Sequence, residues 1–223
     1  MKTLCTTRRP LMALLAATAL TTALAGCAPV VLGGVAVGGM MAVDRRTTGT
    51  QVEDERIELQ AVNRIHGQYA DRVHVNITSY NRQVLLTGEA STAEQVQDIE
   101  KMVRGLEGVH SVVNELAALP ASSLVTRSGD TFITGKVRAS LVDAKDLTAG
   151  AFKVVTERNV VYLMGRVTQR EAQRASDIAR GVNGVSKVVR VFEYLTEDEL
   201  VRLSTPRPAP VTTDKAPSSR NEP

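Results

Sequence analysis

The sequence has no tryptophan, four tyrosines, three phenylalanines, two cysteines and three histidines among 223 residues. So few aromatic rings leave no platform on which bases could stack, which argues against a nucleic-acid-binding surface. Thiols are scarcer still. Cys5 lies in an N-terminal leader and Cys27 at the leader's expected processing point, so no free thiol is expected in the mature chain, and a disulfide framework and a thiolate metal site are both excluded. An excess of one charge is also missing. The formal net charge of +3 comes from 27 basic against 24 acidic residues, and losing Lys2, Arg8 and Arg9 with the leader would leave the rest neutral. A polyanion-binding chain would need a basic surplus.

What the N-terminus does contain is specific. Lys2, Arg8 and Arg9 precede the apolar stretch Leu11 to Leu20, which closes on Leu24-Ala25-Gly26-Cys27. A charged start, a short apolar run and small residues before a cut site form a secretory signal over residues 1–26 that is too short to span a bilayer stably. Leu24 to Cys27 match a lipobox, in which Cys27 is alkylated by diacylglycerol and becomes the new N-terminus. Acyl chains hold by burying methylene groups, and several together anchor a protein permanently. Residues 27–50 read as a lipidated tether. Pro29 to Val43 is apolar and glycine-rich, a poor isolated helix that fits either a flexible spacer or a small-residue packing segment. Asp44-Arg45-Arg46-Thr47 then turns polar and marks a domain boundary.

From Gln51 the chain repeats itself, which sets the frame for every local motif. Val84-Leu85-Leu86-Thr87-Gly88 aligns with Val161-Tyr162-Leu163-Met164-Gly165, and Val96, Ile99, Val103 and Gly108 align with Ala172, Ala175, Ala179 and Gly184. In each copy an amphipathic helix comes first, with Ile57, Ala61 and Ile65 matched by Ile133, Val137 and Leu141. Val73, Val75 and Ile77 alternate as a strand, and the turn Asn81-Arg82 leads to a second strand at Val84 to Leu86. Ser91 or Thr92 caps a second helix over roughly 93–106, which Gly108 ends before a third strand from Val109. The expected fold is α+β: two αββαβ modules over residues 51–119 and 129–196, each a three-stranded mixed sheet covered by two helices on one face. Residues 120–128 form the linker, and small cores should make the modules pack on one another. The C-terminal segment 197–223 holds five of the eight prolines from 205 on and is expected to be disordered there.

Catalytic chemistry is hard to find. His66, His74 and His110 have no metal-ligand spacing, and His66 and His74 read as surface or turn residues. Asp54 and Glu55 read as acids favouring the dipole of a first helical turn. The paired glycines at Gly105 and Gly108 and at Gly181 and Gly184 follow helices, whereas phosphate cradles precede them. No catalytic residue, metal site or cofactor is expected, and the protein reads as one that binds.

This order of elements, with glycine turns at Gly88 and Gly165 and helix ends at Gly108-Val109 and Gly184-Val185, resembles the BON domain. Together with the lipobox, the glycine-rich stretch and the Asp-Arg-Arg-Thr boundary, it resembles the dual-BON outer-membrane lipoproteins. That resemblance implies an outer-membrane anchor at Cys27 facing the periplasm, binding of anionic phospholipid through the second module, support of outer-membrane integrity, and enrichment at the division site.

Charge and helical geometry bear on the same expectation. Residues 51–119 carry 11 acidic and 6 basic side chains, whereas 128–195 carry 7 and 11. Such asymmetry fits either two different partners or two modules that complement each other. On the first helix of the second copy, Phe132 points roughly 140° from the centre of the buried stripe. Phe132, Lys136, Arg138 and Val142 are the expected phospholipid contacts, unless Phe132 packs against the first module. The competing function is an adaptor for outer-membrane assembly or cell-wall remodelling proteins, with the lipid only as a tether.

Overall fold

A computed structural model describes residues 44–204. The leader, Cys27, the glycine-rich stretch and the proline-rich tail lie outside the described residues. The first module runs α1 (Thr48–Tyr69), a 3-10 turn (Ala70–Arg72), β1 (His74–Tyr80), β2 (Gln83–Ala90), α2 (Ala93–Arg104) and β3 (Ser111–Ala118). The second repeats it as α3 (Leu124–Asp143), a 3-10 turn (Ala149–Ala151), β4 (Phe152–Glu157), β5 (Val160–Val167), α4 (Gln169–Arg180) and β6 (Lys187–Tyr194), and α5 (Glu197–Ser204) follows. Among the described residues, no helix is long and apolar enough to cross a membrane.

In each sheet the middle strand is the second, paired antiparallel with the first and parallel with the third. The parallel pair requires a crossover, and α2 and α4 supply it. Side-chain alternation along the middle strands then divides the cores. Val84 and Leu86 face α1 and α2, packing with Ile57, Ala61, Ile65, Ile99 and Val103. Val161 and Leu163 do the same beneath α3 and α4. Leu85, Tyr162 and Met164 point the opposite way and meet, with Tyr80 and Val191, in a third core between the two sheets. Both faces of β2 and β5 are therefore buried, which is why these strands read as continuous apolar runs. The modules pack sheet to sheet, as their small individual cores required.

The hairpin turns depend on two aspartates, and Asp54 has a different role from the one its sequence position suggests. Asn81 and Arg82, and Arg158 and Asn159, all have positive φ between 50° and 64°, the type I′ geometry that a two-residue hairpin needs. Left-handed backbone without glycine costs of order 1–3 kcal/mol per residue and persists only where neighbours enforce it. Asp54 enforces it in the first module, accepting from the Asn81 and Arg82 amides at 2.8 and 2.7 Å and from the Ser79 hydroxyl at 2.6 Å. Asp130 accepts from the Arg158 and Asn159 amides at 2.9 and 2.8 Å. Because α1 starts at Thr48, Asp54 sits in its second turn, 1% exposed. It is a turn clamp rather than an acid serving the helix dipole.

Other local expectations shift in the same direct way. Gly88 and Gly165 lie inside β2 and β5, where a Cβ would stand 2.1 Å from the His74 carbonyl oxygen and 2.3 Å from that of Ala151. They permit close strand approach, and neither makes a turn. Thr92 caps α2 through the Gln95 amide, and Gly105, rather than Gly108, is its C-cap. Gly108 and Gly184, with φ of 87° and 102°, instead turn the chain into the third strand. His74 opens β1 half-buried at one end of the inter-sheet contact, so the surface expectation holds for His66 and fails for His74.

Candidate functional site

The helix expected to contact lipid begins earlier than its spacing indicated. Ser123 accepts from the Thr126 amide at 3.2 Å and caps α3, so residues 124–128, read as linker, form its first turns. Leu124 and Val125 thereby join the outward face. At 100° per residue, Leu124, Val125, Phe132 and Val142 fall within an arc of about 100° opposite the buried Ile133, Val137 and Leu141. Their exposures are 78, 82, 69 and 62% respectively. Large apolar side chains usually gain by leaving water, and these four stay in it. An aromatic that is 69% exposed is not packed between the modules, which removes the interface reading of Phe132.

Lys136 stands one turn from Phe132, with its ammonium 5.0 Å from the ring centroid. The same ammonium donates to the Asn183 carbonyl in the turn that follows α4, so the charge is held over the aromatic face. Arg138 departs from expectation. It lies about 120° around the helix from Phe132, and its guanidinium donates to the Val154 carbonyl of β4 at 3.3 Å. The outward surface thus gathers Phe132, Lys136 and Val142, with Leu124 and Val125 added and Arg138 turned toward the sheet edge.

Part of the charge asymmetry is used inside the molecule. Lys153 pairs with Glu58 at 2.8 Å and Arg158 with Glu89 at 3.1 Å, each a base of the second module on an acid of the first. Module complementation, one of the two readings of the charge counts, therefore accounts for some of the contrast.

Arg45 and Arg46 make contacts that no spacing in the sequence indicated. Arg45 donates to both Glu171 oxygens, at 2.8 and 2.7 Å, and to the Arg166 carbonyl at 2.8 Å; the two side chains are 6 and 3% exposed. Burial by itself would raise the Glu171 pKa, yet the Arg45 guanidinium and the Thr168 amide more than offset it and hold the carboxyl below its ordinary range. Arg46 bridges Asp44 and Asp54 and lies over the Tyr80 ring at 4.4 Å. The Asp-Arg-Arg segment is therefore an ionic clasp, fastening the stretch that leads into α1 to both modules.

Two copies of one αββαβ unit, sheet to sheet, match the BON domain over residues 53–120 and 129–196. The chain belongs to the BON-domain family. As a dual-BON protein it is 38% identical over 174 residues to a Haemophilus influenzae protein named Outer membrane lipoprotein DolP, covering 77% of this chain and 90% of that one. It is 32% identical over 155 residues to the 21 kDa hemolysin of Actinobacillus pleuropneumoniae, covering 69% of this chain and 80% of the relative. Osmotically-inducible protein Y of Escherichia coli is 32% identical over 117 residues, 51% of this chain and 58% of its own length. The BON modules thus account for most of the described chain, and α3 is the first helix of the second one.

Proposed function

We propose that this protein is an outer-membrane lipoprotein, acylated at Cys27 and facing the periplasm, whose second BON module binds anionic phospholipid through the outward face of α3. The observation that carries this reading is the exposed apolar row Leu124, Val125, Phe132 and Val142 on one helix, with the Lys136 cation beside the aromatic. A helix of 20 residues is about 30 Å long. Laid flat, it can bury such a row at the boundary of headgroups and acyl chains while a base meets the anionic surface. The relative named as an outer membrane lipoprotein supports the location, and the lipobox at Cys27 supports the anchor. Support of outer-membrane integrity, and action at the division site, follow from the same resemblance.

A second reading has an observation of its own. Val52, Leu59 and Val62 are 61, 63 and 46% exposed along one side of α1, a face on which the first module could hold an outer-membrane assembly or cell-wall remodelling protein. In that case lipid would serve only as a tether. Flotation of residues 28–223, made without leader or acyl group, separates the two. Binding to vesicles containing phosphatidylglycerol and not to pure phosphatidylcholine is expected from the lipid reading, and binding to neither is expected from the adaptor. Lys136→Ala should weaken vesicle binding about fivefold at low salt, since one base near an anionic surface contributes about 1 kcal/mol. The difference should shrink as added salt shortens the screening length. An unchanged affinity at low salt would remove Lys136 from the contact.

A further inference from the structure

The three residues His74, Glu89 and Glu157 are far apart in sequence, and no spacing rule links them. The fold joins them. His74 and Glu89 are register partners across β1 and β2, and Glu157 ends β4 of the other module. Following the pleat, all three point to the inter-sheet side, at one end of the contact between the modules. One donor atom from each lies within 4.8 Å of the others, and His74 Nε2 is 3.7 Å from Glu157 Oε2. Two ligands on a tetrahedral zinc ion stand about 3.4 Å apart when each bond is about 2.1 Å, so the most distant pair would close by up to about 1.4 Å on binding, and water would take the fourth position.

The cluster has an unanswered polar atom. Glu157 is 5% exposed, and its Oε1 is buried without a hydrogen-bond partner. Its other oxygen accepts from the Asn76 side-chain amide at 2.7 Å. Glu89, fully buried, accepts from the Ser122 amide at 3.1 Å and from Arg158 at 3.1 Å. The Asn76 and Ser122 amides orient the two carboxylates in the way outer partners orient metal ligands. Arg158, 45% exposed at its side chain, is free to withdraw into solvent. A cleft of about 400 Å³, lined by His74, Asn76, Arg127 and Glu157, opens beside the cluster and gives an ion its path in.

We propose that His74, Glu89 and Glu157 form a binding site for a divalent cation of the zinc class, which clamps the two BON modules together. One imidazole nitrogen and two carboxylates suit zinc, whereas magnesium demands six oxygens in octahedral array and keeps its waters. The ion takes the place of Arg158 at Glu89 and brings positive charge to Glu157, whose buried Oε1 has no hydrogen-bond partner. Binding to the folded state alone raises the melting temperature with ion concentration.

The test uses the full chain in detergent, stripped with chelator, dialysed, and titrated with zinc chloride by calorimetry and thermal melting, with magnesium chloride as the comparison. One zinc per chain, a rise of several degrees in melting temperature, and no effect of magnesium are expected. His74→Gln, close in size and without the ligand nitrogen, should weaken zinc roughly tenfold or more, and Arg158→Ala, which frees Glu89, should tighten it. Absence of heat and of any thermal shift up to about 100 µM zinc, or binding undiminished in a folded His74→Gln chain, overturns the proposal.

Discussion

Asp54→Ala is expected to lower the unfolding free energy by about 2–4 kcal/mol, measured by urea titration, because each donor left without its acceptor costs about 1–3 kcal/mol. Asp54 accepts from the Asn81 and Arg82 amides, the Ser79 hydroxyl and the Arg46 guanidinium. Arg46 keeps Asp44 after the substitution, so the loss comes chiefly from the turn. Two non-glycine residues at positive φ are then held by the hairpin alone. Asp54→Asn keeps one acceptor oxygen and should lose less. Asp130→Ala strands two amide donors, against four donors for Asp54→Ala, and should cost less. A loss under about 1 kcal/mol for Asp54→Ala would mean that water satisfies the turn amides equally well.

Glu171→Ala should be at least as damaging, at about 3–5 kcal/mol, the usual cost of stranding one member of a buried ion pair. Arg45 would keep only the Arg166 carbonyl, and α4 would lose the capping box that Glu171 forms with Thr168. Acid should act on the same contact. With the folded pKa of Glu171 held below its ordinary value of 4.5, the pair's contribution is complete above that value and is lost as pH falls through the depressed one. Stability of the wild type should therefore decline more steeply below pH 4.5 than that of Glu171→Gln. Parallel profiles would show that the carboxylate charge contributes nothing to the clasp.

These two acids show what a sequence can and cannot disclose. Helical and strand periods come from burial of alternating faces, so Ile57, Ala61 and Ile65 and the doubly buried runs at Val84 and Val161 were legible, as were the repeat and the packing of the modules. Asp54 was not, because its partners stand some 25 residues away and its helix begins two turns earlier than the apolar stripe. Leu124 and Val125 were lost to the linker for a similar reason: the cap at Ser123 leaves no hydrophobic period until Ile133. Phe132 was legible because an aromatic off the core stripe breaks a pattern within its own helix. His74, Glu89 and Glu157 could not be read at all, since only the packing of one sheet on the other places them together.

The outward face of α3 carries the functional account, and Phe132→Glu tests it most directly. That side chain is 69% exposed and outside all three cores, so the substitution should move the melting temperature by little. It replaces a ring that enters the bilayer boundary with a charge repelled by anionic headgroups. Flotation of residues 28–223 with phosphatidylglycerol vesicles should fall to background for Phe132→Glu, while Arg56→Glu, at the aligned position of α1, should float like the wild type. A folded Phe132→Glu chain that still floats with the vesicles would contradict the account.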